Sequence, residues 1–286
     1  MTSALQADLK AHALEPKDLW AKTRPFQLSL FPKNPKAAFH LQGSKGQALL
    51  LHGFTGTPYE VRPLAEVFNE QGYAVWAPLL PGHGGDGAAI NNTTLEQWHL
   101  AVMSTYQEMA GEGPQVVAGV SMGGLLATLL AAQKKLNALV LIAPAFELFP
   151  TGKAAISLSF MGAHHLLPTL RKAEQGGDIV DKSAQIFNPN TPEIPIRGLQ
   201  ELEKVRQLAL KALPKITVPV FLAHGEKDRT IPPQTSVDIS LKLIHAPETV
   251  LHRYPHSGHV LPIDLEQQEL QKALRTFLKN LDEPPQ

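Results

Sequence analysis

Val116-Val117-Ala118-Gly119-Val120-Ser121-Met122-Gly123-Gly124-Leu125 is the stretch on which the fold turns. Its first half is a β-rich apolar run. From Leu125 to Gln133 the chain reads as a helix. Between them Gly119-Val120-Ser121-Met122-Gly123 matches G-x-S-x-G, which in a strand–turn–helix setting places a serine hydroxyl on a sharp exposed turn. Such a turn is strained and tight, so the residues two positions either side of the serine must lack side chains. Gly119 and Gly123 meet that requirement.

Outward from this turn, short apolar runs alternate with helical stretches. The runs are 37–41, 47–51, 73–77, 115–120, 138–143, 218–223 and 249–254, most of them nearly continuous in Val, Leu, Ile and Ala. That is the pattern of strands buried on both faces. Helices are predicted near 58–70, 94–110, 122–133, 234–244 and 264–280, the last with Leu265, Leu270, Leu274 and Phe277 at helical spacing. Alternating β and α units predict an α/β fold with a mostly parallel central sheet flanked by helices.

Three divisions follow. Residues 1–36 form an N-terminal extension, where Leu5, Leu9 and Ala13 could make one helical stripe before Pro16, Pro25, Pro32 and Pro35 interrupt it. Segments 37–145 and 215–286 make the α/β core. Residues 146–214 separate two predicted strands by far more than an ordinary crossover, so they are expected to form a helical cap or lid insertion.

Composition narrows the function. Lys plus Arg and Asp plus Glu both number 26, and the net charge is zero. A nucleic-acid partner would call for a basic excess. There is no cysteine, which excludes disulfides, thiolate catalysis and thiolate metal sites. No apolar run approaches the ~20 residues of a membrane span. Asp8, Lys10, Glu15, Lys17 and Asp18 scatter charge where a secretory signal would carry an apolar core, so a cytoplasmic protein is expected.

A serine needs a base, and the base needs an orienting acid. In this architecture the chain order is serine, acid, histidine. Asp228 follows the 218–223 run in His224-Gly225-Glu226-Lys227-Asp228, at a strand's C-terminal end where catalytic groups collect. Glu226 competes locally, and Asp178 and Asp181 lie in the insertion. After the last run comes Tyr254-Pro255-His256-Ser257-Gly258-His259, with His259 favoured over His256 as the base. Two backbone N–H groups are expected to receive an oxyanion: that of Met122, after the serine, and that of Phe54 in His52-Gly53-Phe54-Thr55-Gly56. Phe146, Leu148, Phe149, Ile156, Phe160 and Met161 are candidates to line an acyl pocket.

Other motifs fail on context. Gly82-His83-Gly84-Gly85-Asp86-Gly87 fits G-x-G-x-x-G but follows the second strand of its unit and leads into Asn91-Asn92-Thr93-Thr94, as a turn-rich loop would. His164-His165 lacks a third ligand at fixed spacing and H-E-x-x-H is absent, so no metal and no cofactor is expected.

Together, Leu49 to Gly56, Pro81-Gly82-His83-Gly84, Ala118 to Gly124, His224 to Asp228 and Ser257-Gly258-His259 resemble the bacterial carboxylesterase and monoacylglycerol lipase branch of the α/β-hydrolase superfamily. The resemblance covers roughly 37–282 and omits the N-terminal extension. It implies an α/β-hydrolase fold in which Ser121 is nucleophile, His259 base and Asp228 its partner. Phe54 and Met122 would then form the oxyanion hole, and short-to-medium acyl esters or monoacylglycerols would be the substrates. The same residues also serve hydrolases of amide, thioester or C–C bonds, and a non-catalytic ligand receptor can use the same fold. The extension could in addition dock a partner or complete a homo-oligomer.

Overall fold

The computed structural model describes residues 30–109, 111, 113–172 and 176–281. The stripe expected at Leu5, Leu9 and Ala13 lies outside them. Nine strands occur among the described residues: β1 (Phe39–Leu41), β2 (Gly46–Leu51), β3 (Tyr73–Ala77), β4 (Gln115–Val120), β5 (Ala138–Ile142), β6 (Thr169–Arg171), β7 (Glu193–Pro195), β8 (Val220–Gly225) and β9 (Thr249–Tyr254). Seven join in one sheet in the order β1-β3-β2-β4-β5-β8-β9. Only β1, at the edge, runs antiparallel to its neighbour. The helices are α1 (Arg62–Glu70), α2 (Gly87–Asn91), α3 (Leu95–Glu108), α4 (Met122–Ala131), α5 (Pro150–Phe160), α6 (Ala163–Leu166), α7 (Lys182–Phe187), α8 (Gly198–Ala212), α9 (Gln234–Ser240) and α10 (Gln267–Asn280). None is long and apolar enough to cross a membrane.

The continuous apolar runs form strands because both faces of the sheet are covered. Successive side chains point to opposite faces, so Val116, Ala118 and Val120 enter one core layer while Val117 enters the other. The same alternation splits Val140 and Ile142 from Leu139 and Leu141. Helices α1 and α10 cover the first face, through residues such as Leu64, Phe68, Leu270 and Leu274. Helices α3, α4 and α8 cover the second, through Trp98, Leu125, Leu202 and Val205 among others. Leu265, expected in the α10 stripe, precedes the helix and is exposed.

The sheet order locates the site. From β2 the chain moves outward to β3, then returns across β2 to lay down β4 on its other side. Open α/β sheets bind ligands outside the strand C-termini at such a reversal. Here the ends of β2 and β4 carry Gly53-Phe54 and Ser121. The Gly82–Gly87 loop is built of turns: Gly82 and Gly84 take φ of +79° and +82°, and the Asp86 carboxylate accepts the Ala89 N–H at the start of α2.

Between β5 and β8 lies the insertion, with α5 to α8 and the antiparallel β6–β7 pair. The two short strands have no sequence signature. Each spans three residues, and one ends in Pro195.

Candidate active site

Ser121 sits between β4 and α4 with φ 53° and ψ −117°, a region that costs an L-residue energy and is held only by its surroundings. Its N–H donates to the Ile142 carbonyl at 3.0 Å, and its own carbonyl accepts from the Gly124 N–H at 3.0 Å. The flanking glycines are steric necessities. A Cβ on Gly119 would collide with the Gly123 backbone, and one on Gly123 with the Leu51 carbonyl. Both obstacles are backbone and cannot rotate away. Gly123→Ala is therefore expected to cost about 3 kcal/mol or more, the upper range of overpacking. Chemical denaturation would check this; a cost under about 1 kcal/mol would contradict the tight turn.

Asp228 and His259 meet across two loops that are stitched together. The loop after β8 donates Glu226 N–H to the Tyr254 carbonyl at 2.8 Å and Lys227 N–H to the Ser257 carbonyl at 2.9 Å. Asp228 Oδ2 then lies 2.7 Å from His259 Nδ1. Its Oδ1 accepts the Thr230 and Ile231 N–H groups at 2.8 and 2.7 Å. Oδ2 also lies 2.9 Å from Nε2 of a second, fully buried histidine, His224, whose Nδ1 faces Ser236 Oγ at 2.6 Å. Burial works to raise the Asp228 pKa, but His259, by charge and hydrogen bond, and His224 hold it well below the usual carboxylate range. Burial pulls His259 down, yet the Asp228 carboxylate, with Asp178 and Glu60 behind it, raises it above the ordinary 6.5.

The alternatives left open by the sequence have other employment. Glu226 pairs with Arg253. Asp178 accepts from Arg229 N–H and Nε at 2.6 and 3.0 Å. Asp181 caps α7 through the Ser183 and Ala184 N–H groups. His256 is exposed, and its N–H donates to Glu266 Oε2.

The loop after β2 is oriented by a buried histidine. The Leu80 N–H donates to His52 Nε2 at 3.1 Å, so that nitrogen carries the lone pair. The proton is therefore on Nδ1, which donates to the Gly53 carbonyl at 2.9 Å. Burial, reinforced by the nearby His83, holds His52 well below 6.5 and hence neutral. With the Gly53 carbonyl held on one side, the trans peptide turns the Phe54 N–H to the other.

Ser121, His259 and Phe54 all line one cavity of about 610 Å³. Its apolar wall includes Leu148, Ala155, Ile194, Leu199 and Leu202; Thr55, Glu60 and Lys172 add polar groups. Of the six apolar candidates named from sequence, Leu148 alone lines it. Phe146 and Ile156 are buried in the core. Phe160 and Met161 are exposed, at 54% and 81%, and the half-buried Phe149 lies outside the lining. Met122 is fully buried at the first position of α4. Sequence reasoning did not reach His224, Glu60 or Lys172. His224 stands inside the motif that marks Asp228, while no motif or spacing marks Glu60 or Lys172.

A sequence-family profile described as "Serine aminopeptidase, S33" matches residues 42–266. The chain is 29% identical over 245 residues to the thermostable monoacylglycerol lipase of Bacillus sp. (strain H-257), covering 85% of this chain and 94% of that one. It is 26% identical over 257 residues to a carboxylesterase of Bacillus subtilis (strain 168), covering 85% and 96%. The solved structure of Paleococcus ferrophilus monoacylglycerol lipase superimposes with a TM-score of 0.72 at 21% identity, over 86% of this chain and 99% of that one. The chain thus belongs to the serine aminopeptidase S33 family and is an α/β hydrolase, similar in sequence to a monoacylglycerol lipase and a carboxylesterase.

Proposed function

We propose that the protein hydrolyses short-to-medium-chain acyl esters or monoacylglycerols through a covalent acyl-enzyme, with Ser121 as nucleophile. The observation that carries this reading is a buried Asp228–His259 pair and a strained Ser121 opening on one largely apolar cavity. Asp228 accepts the proton of His259 Nδ1, leaving Nε2 of the neutral ring as the base. Nε2 takes the Ser121 proton as Oγ bonds to the ester carbon, and the carbonyl electrons move onto oxygen. The Phe54 and Met122 N–H groups receive that oxyanion. Collapse of the intermediate breaks the bond to the alcohol oxygen, which leaves with the proton from His259. Water then repeats the sequence on the acyl-enzyme and frees Ser121.

The cavity wall suits an acyl chain. Leu148, Ala155, Ile194, Leu199 and Leu202 supply apolar surface, worth roughly 25 cal/mol for each Å² of chain they cover. Turnover of p-nitrophenyl esters of increasing acyl length tests the assignment. The expected profile rises from acetate to a medium-chain optimum and falls for palmitate. A flat profile would overturn the chain-length preference, and no turnover of any ester by folded protein would turn the reading toward amide or thioester bonds.

The His259 environment sets the pH dependence. The base works when neutral, and its pKa in the folded protein lies above 6.5. Hence kcat/KM is expected to climb with pH and reach half its maximum above pH 6.5. A pH–rate profile checks it; a midpoint below 6 would mean that Asp228 does not hold the imidazolium.

A further inference from the structure

Phe54 is followed by a residue in an uncomfortable conformation. Thr55 takes φ 64°, which is a genuine outlier for a β-branched side chain. Contacts from the insertion hold it there. Its carbonyl accepts the Thr191 N–H at 2.8 Å. Its hydroxyl lies 2.5 Å from the Phe54 carbonyl and 2.6 Å from Lys172 Nζ, just beyond β6. An ammonium donates and never accepts. Thr55 Oγ must therefore accept from Lys172, and its single proton is turned toward the Phe54 carbonyl. Both peptides flanking Phe54 are then pinned, one by His52 on the Gly53 carbonyl and the other by Thr55.

We propose that Lys172 is a positioning residue for the oxyanion hole: by fixing the Thr55 hydroxyl it holds the Phe54 N–H in line, so that seating of the insertion is coupled to acyl transfer. This rests on the ester reading above, in which the Phe54 N–H receives the oxyanion. Lys172 acts through Thr55 and needs no contact with the reacting atoms. Two neighbours belong to the same clamp. Glu60 accepts the Gly53 N–H at 3.4 Å and Asn188 Nδ2, from the insertion, at 3.3 Å. Burial pushes the Lys172 pKa down to about 8, while Glu60 and Glu193 oppose that fall, so the ammonium form prevails at neutral pH.

The test is a double-mutant cycle on Lys172→Met and Thr55→Val, read in kcat, KM and affinity for an alkyl boronic acid that adds to Ser121 as a transition-state mimic. Removing one true oxyanion donor costs about 10² to 10³ in rate; a misaimed one should cost less. Each single variant is expected to lose about 10- to 100-fold in kcat and a similar factor in boronate affinity, with KM within about twofold. The double variant should be no worse than either single, because both break one link. Thr55→Ser keeps the hydroxyl and should retain activity near wild type. Thermal melts separate these effects from unfolding, and Lys172→Met, which leaves the strained backbone at Thr55 untouched, carries the test alone if Thr55→Val does not fold. Unchanged kcat and boronate affinity in Lys172→Met, multiplying losses, or a rise confined to KM would overturn the inference alone. Wild-type protein that neither turns over esters nor binds boronate at Ser121 would overturn the ester reading, and this inference with it.

Discussion

Ser121→Ala is expected to lower ester turnover by on the order of 10⁶, the loss seen when a serine protease is stripped of its nucleophile. The size of the effect follows from the division of labour. Without Oγ no acyl-enzyme forms, and His259 has no hydroxyl to activate. What remains is water attacking a carbonyl that the Phe54 and Met122 N–H groups still polarise, a residual about 10³ to 10⁴ above the uncatalysed rate. The fold should survive, because the hydrogen bonds anchoring residue 121 are made by its backbone to Ile142, Gly124 and Ala145. Alanine at φ 53° carries the same Cβ that serine does. Steady-state kinetics beside a thermal melt make the measurement. A folded Ser121→Ala protein keeping more than about 1% of turnover would remove Ser121 from the mechanism.

Asp228→Asn is expected to cost about 10⁴ in kcat, as the equivalent change does in a serine protease, by reversing the histidine tautomer. The hydrogen bonds here say why no amide orientation escapes. Oδ2 faces ring nitrogens of His259 and His224 at 2.7 and 2.9 Å. Oδ1 faces two backbone N–H groups, of Thr230 and Ile231. If the amide nitrogen takes the Oδ2 place it donates, so His259 Nδ1 must accept and the proton moves to Nε2. The base is then lost. If the nitrogen takes the Oδ1 place it meets two donors that cannot turn, which costs about 1–3 kcal/mol for the buried groups left unpaired. The folded-state pKa of Asp228 lies below its unfolded value. The stability this carboxylate contributes is therefore present above pH 3.8, its ordinary value, and lost as the pH falls below it. The variant should lack that acid-side loss, which pH-dependent denaturation would show. Wild-type kcat in Asp228→Asn would exclude Asp228 as the acid.

The strands were the most legible part of the molecule. The ranges expected for β3 and β4 coincide with those observed, because a strand covered on both faces must be apolar at nearly every position; that of β9 coincides too, although this edge strand is only half-buried and carries His252 and Arg253. Ser121 was legible for a related reason. A turn that forbids a Cβ on either side writes glycine into the sequence at Gly119 and Gly123. Asp228 and His259 were legible only as members of an ordered set, since each stands on a loop whose course no local pattern describes.

The insertion resisted the same treatment. Phe146, Leu148, Ile156 and Met161 are all apolar, yet the first and third pack into the core, Leu148 faces the cavity and Met161 faces solvent. Hydropathy says that a side chain avoids water. It does not say which of several apolar surfaces will receive it, and short irregular elements offer no period from which to infer a face.

The sequence by itself determined what local sterics and hydropathy dictate: the two-faced parallel sheet and the elbow at Ser121. The tertiary structure alone decided what depends on distant segments meeting. His224 and His259 converge on one carboxylate, and Lys172 reaches Thr55 across 117 residues of chain. Such contacts are set by the packing of loops and the insertion against the sheet. A charge destined for burial beside a cavity looks, in sequence, no different from one that stays in water.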